Sequence, residues 1–259
     1  MISAPNVLNI GVVNVRGNFS NRPQVVENLI REKSLDVLIC TETHLISSTS
    51  FRSSFNFHSV QFVPKFHLGE GHKAGVAVIY NPSIPFPPIL ESEDTQLGCW
   101  LMVRVGNLRI AAVYIPPNSN QATIEGIFRA MQPDLPGDFL LCGDLNAHME
   151  EWGDQVNSTQ GRQIKQMTWE YGLIRIKTDP EKTWTRHLAF NNRHGIFHEY
   201  FSTVDHIFAS GDVHSRCTRV KVWKHENVFD SDHRLLTCSV SNVYRGANHA
   251  PSVSGERPF

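Results

Sequence analysis

The apolar run Phe139-Leu140-Leu141-Cys142 ends abruptly in Gly143-Asp144-Leu145-Asn146-Ala147-His148, with Glu151-Trp152-Gly153 a short interval further on. Such a run reads as a buried strand that delivers an acid and an amide, two residues apart, to its carboxyl end. Taken alone, Asp-x-Asn after an apolar stretch is a turn in most proteins. Here the arrangement recurs along the chain: Asn14, Glu42, Tyr114, Asp205 and Ser231-Asp232-His233 occur in order, each beside a plausible strand. Polar residues collected at strand ends are what an active site on one rim of a sheet sandwich requires.

The strands come from the same kind of patterning. Residues 7–15 read VLNIGVVNV, β-branched and apolar, which predicts a strand with Asn14 at its end. Asn21 can cap a helix that tolerates Pro23 in its first turn and carries Val25, Val26, Leu29 and Ile30 on one face. Residues 35–40 form the next predicted strand and put Glu42 just past its end. Further strands are expected over 74–80, 100–105 and 108–115, the last two joined by a Gly106-Asn107 hairpin turn and closed by Tyr114. Asn120 caps a helix with Ile124, Ile127, Phe128 and Met131 at i, i+3, i+4 and i+7. After the strand carrying Asp144, a helix over 161–171 places Ile164 and Met167 inward and stops at Gly172. Short strands follow around Trp184 and over 204–209, 219–222 and 235–240, and residues 188–200 read as a hairpin around Asn191-Asn192-Arg193-His194-Gly195. Strands alternating with helices in the first half, and hairpins in the second, fit an α/β sandwich of two packed sheets with helices outside.

A chain of 259 residues with 41% hydrophobic content can bury a large core within one domain. We expect that domain to occupy residues 1–241, and the polar, aperiodic stretch 242–259 to be a disordered tail or linker. No apolar run reaches the roughly 20 residues needed to span a bilayer. The five cysteines show neither C-x-x-C spacing nor a secreted disulfide pattern, so reduced thiols in an intracellular protein are expected. A net charge of −1 argues against coating nucleic acid through bulk charge, while leaving room for a local basic strip from Arg186 to Lys224. Ser231-Asp232-His233 cannot be a hydrolase triad, because three consecutive side chains cannot line up as nucleophile, base and orienter. His187, His194 and His198 lack the cysteine partners or helical spacing of a zinc set.

The ordered set resembles the endonuclease/exonuclease/phosphatase superfamily of DNase I-like fold, over nearly the whole chain from Leu8 to Val240. Within it, Thr41-Glu42-Thr43-His44-Leu45, the GDLNAH…WG run leading through Asn157 and Gly161, and Ser202-Thr203-Val204-Asp205-His206-Ile207 are similar to signatures of the apurinic-endonuclease-like domain of non-LTR (LINE-type) retrotransposons. The resemblance implies a four-layer α/β/β/α sandwich with two mainly antiparallel sheets. It also implies a magnesium-dependent DNA endonuclease, with manganese as a possible substitute, that leaves a 3′-hydroxyl and a 5′-phosphate. Such a domain nicks double-stranded target DNA in the nucleus to prime reverse transcription, fused to or working with a reverse transcriptase.

The roles it implies fall on matching residues only. Glu42 is the principal metal ligand, with Asn14 close by and Asp232 contributing; Asp144 orients or deprotonates the attacking water. Asn146 holds a phosphate oxygen, His233 polarises the scissile phosphate under the control of Asp205, and Tyr114 reaches the same phosphate. Asn118, Arg186, Arg193 and Ser202 are the expected DNA contacts, Arg193 at the hairpin tip suiting a narrow minor groove. The chemistry is coherent without the family: attack by water on an anionic diester needs charge neutralisation as well as a base. Magnesium keeps several waters and needs only one or two carboxylates.

Three rival readings have weaker support. A repair-type apurinic endonuclease or exonuclease usually shows Trp-Arg-x-Asp-Tyr, where this chain has Phe201-Ser202-Thr203-Val204-Asp205-His206. Phosphatases of the fold that act on inositol phosphates carry an Arg soon after the Asn of GDxN, where Ala147-His148 stands here. A binding-only relative would be expected to lack one of Glu42, Asp144 or His233.

Overall fold

The computed structural model describes residues 6–17, 23–45, 59–63, 74–94, 96–132, 137–178, 184–223 and 228–244. The first strand, β1 (Val7–Asn14), crosses through helix α1 (Pro23–Glu32) to β2 (Val37–Thr41), and the two strands pair in parallel with Asn14 opposite Thr41. Val26, Leu29 and Ile30 form the buried face of α1, while Asn21 lies outside the described residues. Strands β3 (Ser59–Val63) and β4 (Val76–Tyr80) extend this sheet beyond β2, and β13 (Cys217–Val222) and β14 (Leu236–Ser241) extend it beyond β1.

A second sheet of equal size runs β5 (Ile89–Glu93), β6 (Trp100–Val105), β7 (Leu108–Tyr114), β8 (Asp138–Asp144), β12 (Asp205–Ser210) and β9 (Leu173–Arg175). Its one parallel pair, β7 and β8, is linked by α2 (Gln121–Met131), whose cap residue Asn120 accepts from the Thr123 N–H. Helix α3 (Thr159–Glu170) begins two residues earlier than the apolar pattern suggests, because Ser158 caps it through the Gly161 N–H. A short α4 (Gly211–Arg216) follows β12. Strands β10 (Arg186–Asn191) and β11 (Phe197–Ser202) form the expected hairpin as a separate two-stranded ribbon outside both sheets.

Alternation along the strands sorts the side chains into three apolar layers. Ile10, Val12, Ile39 and Val78 meet Leu101, Ile110, Leu140 and Ile207 between the sheets. On one outer face α1 covers Leu38, Cys40 and Ile79; on the other α2 and α3 cover Phe139, Leu141 and Phe208. β8 is therefore buried on both sides, which is why its sequence is a continuous apolar run and not an alternating one. The layers are α/β/β/α, as expected for the DNase I-like architecture.

At the end of β8 the strands come unusually close: a Cβ added to Gly143 would lie 1.7 Å from the Val113 carbonyl oxygen. Gly143→Ala must push β7 and β8 apart, and we expect it to lower folding stability by about 3 kcal/mol. Urea unfolding followed by tryptophan fluorescence measures this; an unchanged midpoint would show that the pair separates at no cost.

Asn242–Tyr244, expected to lie in the tail, pack on the body: Val243 is fully buried, its carbonyl accepts from the Asn107 N–H, and the Tyr244 ring lies 5.2 Å from that of Phe86. All five cysteines are free thiols, four of them buried. Among the described residues, no helix is long and apolar enough to cross a membrane.

Candidate active site

The two parallel strand pairs end on the same rim. β1 delivers Asn14 and β2 runs out to Glu42; β7 delivers Tyr114 in register with Asp144 on β8, and Asp205 on β12 lies opposite Asp144. The Ser231-Asp232-His233 segment enters from the other sheet. Ser231 Oγ donates to the Asn14 carbonyl at 2.7 Å and accepts from the His233 N–H at 3.1 Å, so the serine is a backbone clamp. Residues from both sheets thus surround one cleft of about 580 Å³, lined by Arg16, Glu42, Tyr114, Asn146, Asp232 and His233 among others.

Behind the cleft wall runs a buried chain of polar contacts. His233 Nδ1 lies 2.8 Å from Asp205 Oδ2, and His233 Nε2 lies 3.9 Å from Asp144 Oδ2. Asn14 Nδ2 donates to Asp144 Oδ2 at 2.8 Å, and the Asn146 N–H donates to Asp144 Oδ1 at 2.9 Å. Burial and the nearby Asp205 charge raise the Asp144 carboxyl to about 7, against the lowering effects of His233, Asn14 and Asn146. Burial alone would depress His233, but Asp205, Asp144 and Asp232 overcome it and lift the imidazole to about 9. A carboxylate near neutrality beside an imidazolium is the separation that assigns base and acid roles. Burial first, then the Glu42 and Asp144 charges, raises the Tyr114 phenol, so it remains protonated beside Glu42.

Several cleft residues hold left-handed backbone: Arg16, Glu42, Asn118 and Asn146 have φ between 45° and 60°. Side-chain-bearing residues take this conformation only where surrounding structure imposes it. At Asn146 the bonds responsible are those to Asp144 and from its own Nδ2 to the Ile115 carbonyl at 3.1 Å. The second hydrogen of that amide remains for another acceptor.

As a cation site the cleft fits a hard, oxygen-seeking ion at Glu42. Its carboxylate faces a volume able to hold the waters that magnesium retains. Asn14 has both ends of its amide committed, to Asp144 and to the Arg16 N–H, and Asp232 accepts a hydrogen bond from Arg186 on Oδ2 while its buried Oδ1 lies beside the Arg16 charge without a hydrogen bond. Asp144, Asp205 and His233 also lie close enough together to hold an ion. They are buried, with Asp205 hydrogen-bonded to His233 and Asp144 to Asn14 and the Asn146 N–H, an enclosed setting that leaves little room for a hydrated magnesium.

Of the expected DNA contacts, Asn118 and Arg186 line the cleft, and Ser202 lies at the hairpin base in register with Arg186. Arg193 stands exposed at the tip, where Asn192 Oδ1 accepts from the N–H groups of His194 and Ile196. The hairpin is rooted in the site: Arg186 bridges to His233 through the backbone, and the His187 N–H donates to the Asp232 carbonyl. Sequence reasoning missed Arg16 and Gln160. Gln160, 5% exposed, joins the loops after β7 and β8 by accepting from the Ser119 N–H and donating to the Pro116 and Leu145 carbonyls.

Comparison with known proteins gives a consistent picture. The model of the Endonuclease/Exonuclease/phosphatase family matches residues 11–233. Curated relatives include the RNA-directed DNA polymerase from mobile element jockey of Drosophila melanogaster, 25% identical over 68% of this chain and 19% of its own length. The probable RNA-directed DNA polymerase from transposon BS of the same species is 26% identical over 96% of this chain and 26% of its own. The chain thus spans about a fifth to a quarter of the length of these relatives. Among solved structures, the endonuclease domain of TRAS1, a telomere-specific non-LTR retrotransposon, superposes with a TM-score of 0.64 at 17% identity, covering 92% of this chain and 99% of that one. An AP endonuclease from Leishmania major gives 0.70 at 13% identity, covering 91% and 88%. These superpositions show a shared fold.

Proposed function

Because this chain belongs to the Endonuclease/Exonuclease/phosphatase family, we propose that it is a magnesium-dependent DNA endonuclease. On this reading it nicks duplex target DNA, leaving a 3′-hydroxyl and a 5′-phosphate, to prime reverse transcription of a non-LTR retrotransposon in the nucleus. The observation that carries the reading is the cleft itself, with Glu42, Tyr114, Asn146 and His233 facing inward and Asp144 and Asp205 behind them. The relatives named as RNA-directed DNA polymerases support a working partnership with a reverse transcriptase.

Glu42 would hold the cation, which when bound neutralises charge on the phosphate and the departing oxygen. Asp144, its carboxylate fixed by Asn14 and Asn146, takes a proton from the attacking water. His233, kept cationic by Asp205, donates from Nε2 to a non-bridging phosphate oxygen, and the spare Asn146 N–H donates to another. The protonated Tyr114 hydroxyl stands beside Glu42 as a further donor to the same phosphate. The hairpin, attached at Arg186 and His187 beside the cleft, would grip the duplex.

The test is to incubate supercoiled plasmid, intact duplex and an abasic duplex with the protein in magnesium or in chelator. Plasmid relaxation in magnesium only, without abasic preference, is the expected result. Abasic selectivity would transfer the chain to a repair role, and binding without cutting would end the enzymatic reading. In the same assay, exchanging residues 192–196 at the hairpin tip, which includes Arg193, should shift or blur the nick position while total nicking stays within about threefold. Complete loss of nicking would place the hairpin in the chemistry.

A further inference from the structure

Arg16 lines the cleft beside Glu42 and Asp232, and a role for it at the scissile phosphate rests on the nuclease reading. It sits two residues past Asn14 in a turn with consecutive left-handed residues, Arg16 (φ 46°) and Gly17 (φ 75°). Asn14 Oδ1 accepts from the Arg16 N–H at 3.0 Å, and the Glu42 carbonyl accepts from the Gly17 N–H at 2.7 Å. His44 packs against the turn so closely that a Cβ on Gly17 would lie 2.2 Å from its Nδ1. The turn is therefore fastened to the segment that carries Glu42.

That fastening aims the Arg16 guanidinium at Asp232. Nη1 lies 3.1 Å from Asp232 Oδ1 as an ion pair without a hydrogen bond, while Arg186 Nε donates to Oδ2 at 2.8 Å. The Asp232 side chain is only 7% exposed, whereas those of Arg16 and Arg186 are 44% and 31% exposed. Both arginines line the cleft with Glu42 and His233, and Arg186 also borders a neighbouring hollow of about 400 Å³ under the hairpin, with Leu188, Tyr200 and Ser202.

A carboxylate bracketed by two guanidinium groups is a poor seat for a divalent cation, which would have to displace one of them or sit against both. Two guanidinium groups held on a common anion are instead a phosphate receptor. Their planar donors match phosphate oxygens, and the shared carboxylate fixes their spacing before DNA arrives.

We propose that Arg16 and Arg186 form a phosphate clamp anchored on Asp232, Arg16 holding the scissile phosphodiester and Arg186 its neighbour on the hairpin side. Asp232 is then the anchor of the clamp and not a metal ligand.

Three measurements test this. In chelator, where nothing is cut, duplex affinity measured across a salt series should lose about one unit of log–log slope in Arg16→Ala and keep it in Arg16→Lys. In magnesium, kcat/KM for nicking should fall roughly 100-fold in Arg16→Ala and recover only in part in Arg16→Lys, which restores charge without the fork. Without DNA, manganese binding read by electron paramagnetic resonance should be unchanged within about twofold in Asp232→Asn and weakened at least about tenfold in Glu42→Gln. An Arg16→Ala protein with the wild-type slope and rate overturns the clamp, and so does an Asp232→Asn protein that loses manganese as Glu42→Gln does. Should Arg16→Ala fail to fold, Arg16→Gln gives the uncharged comparison. A wild-type protein that cuts no DNA sinks the nuclease reading instead, and the slope in chelator still decides whether Arg16 holds phosphate.

Discussion

Asp144→Asn is expected to lower plasmid nicking by about 10³- to 10⁴-fold while duplex binding in chelator stays within about threefold. The substitution keeps shape and volume and removes a buried carboxylate that faces His233 and is fixed from two directions, by Asn14 and by the Asn146 N–H. An amide has one oxygen for those two donors, so one of them loses its acceptor, and a modest fall in melting temperature should accompany the loss of rate. Rates from supercoiled plasmid, with thermal unfolding as control, separate the two effects. Retention of even a tenth of the wild-type rate would remove Asp144 from the role of base.

Asp205→Asn should change the shape of the pH profile as well as its height. In the wild type, activity should rise as Asp144 loses its proton near pH 7 and fall as His233 loses its own near pH 9. Asp205 raises both groups, repelling the Asp144 carboxylate and stabilising the His233 imidazolium. Its charge removed, both limbs must move to lower pH. The alkaline limb moves further, because the lost partner is hydrogen-bonded to His233 at 2.8 Å. We expect roughly a 100-fold loss at the optimum and a larger one at about pH 8.5. A variant that lost rate with an unmoved alkaline limb would show that the charge on His233 is not what Asp205 supplies.

Much of this arrangement is legible in the chain alone, and the parts that are not share a physical cause. β1, β2, β6, β7 and β8 declare themselves because they are buried and rich in β-branched and apolar residues; the Asn120 cap and the Gly106-Asn107 turn are local chemistry. β5 escapes notice because ILESE is half-exposed at a sheet edge, β9 because it has three residues, and α4 because GDVHSR buries only Val213. Strand order, and with it the two parallel pairs, leaves no mark on local composition.

The residue types of the site are visible for a similar reason: an acid or amide after a strand stands out. Their pairings are not. Asn14 finds Asp144 across 130 positions, and Arg186 finds Asp232 across 46. Gln160 has the sequence context of an ordinary first-turn helix residue, and only the loops that close over it make it a buried link.

The hydrogen bond from His233 to Asp205 joins one sheet to the other, and β14, which follows His233, pairs with β1 at the far end of the chain. A molecule with only one sheet assembled therefore holds half the chemistry on each of two unconnected surfaces. During synthesis β1 must wait for β14 before its own sheet is complete, and such distant pairings form slowly. Half-made copies of the domain consequently lack an assembled site, which is complete only once β1 and β14 have met.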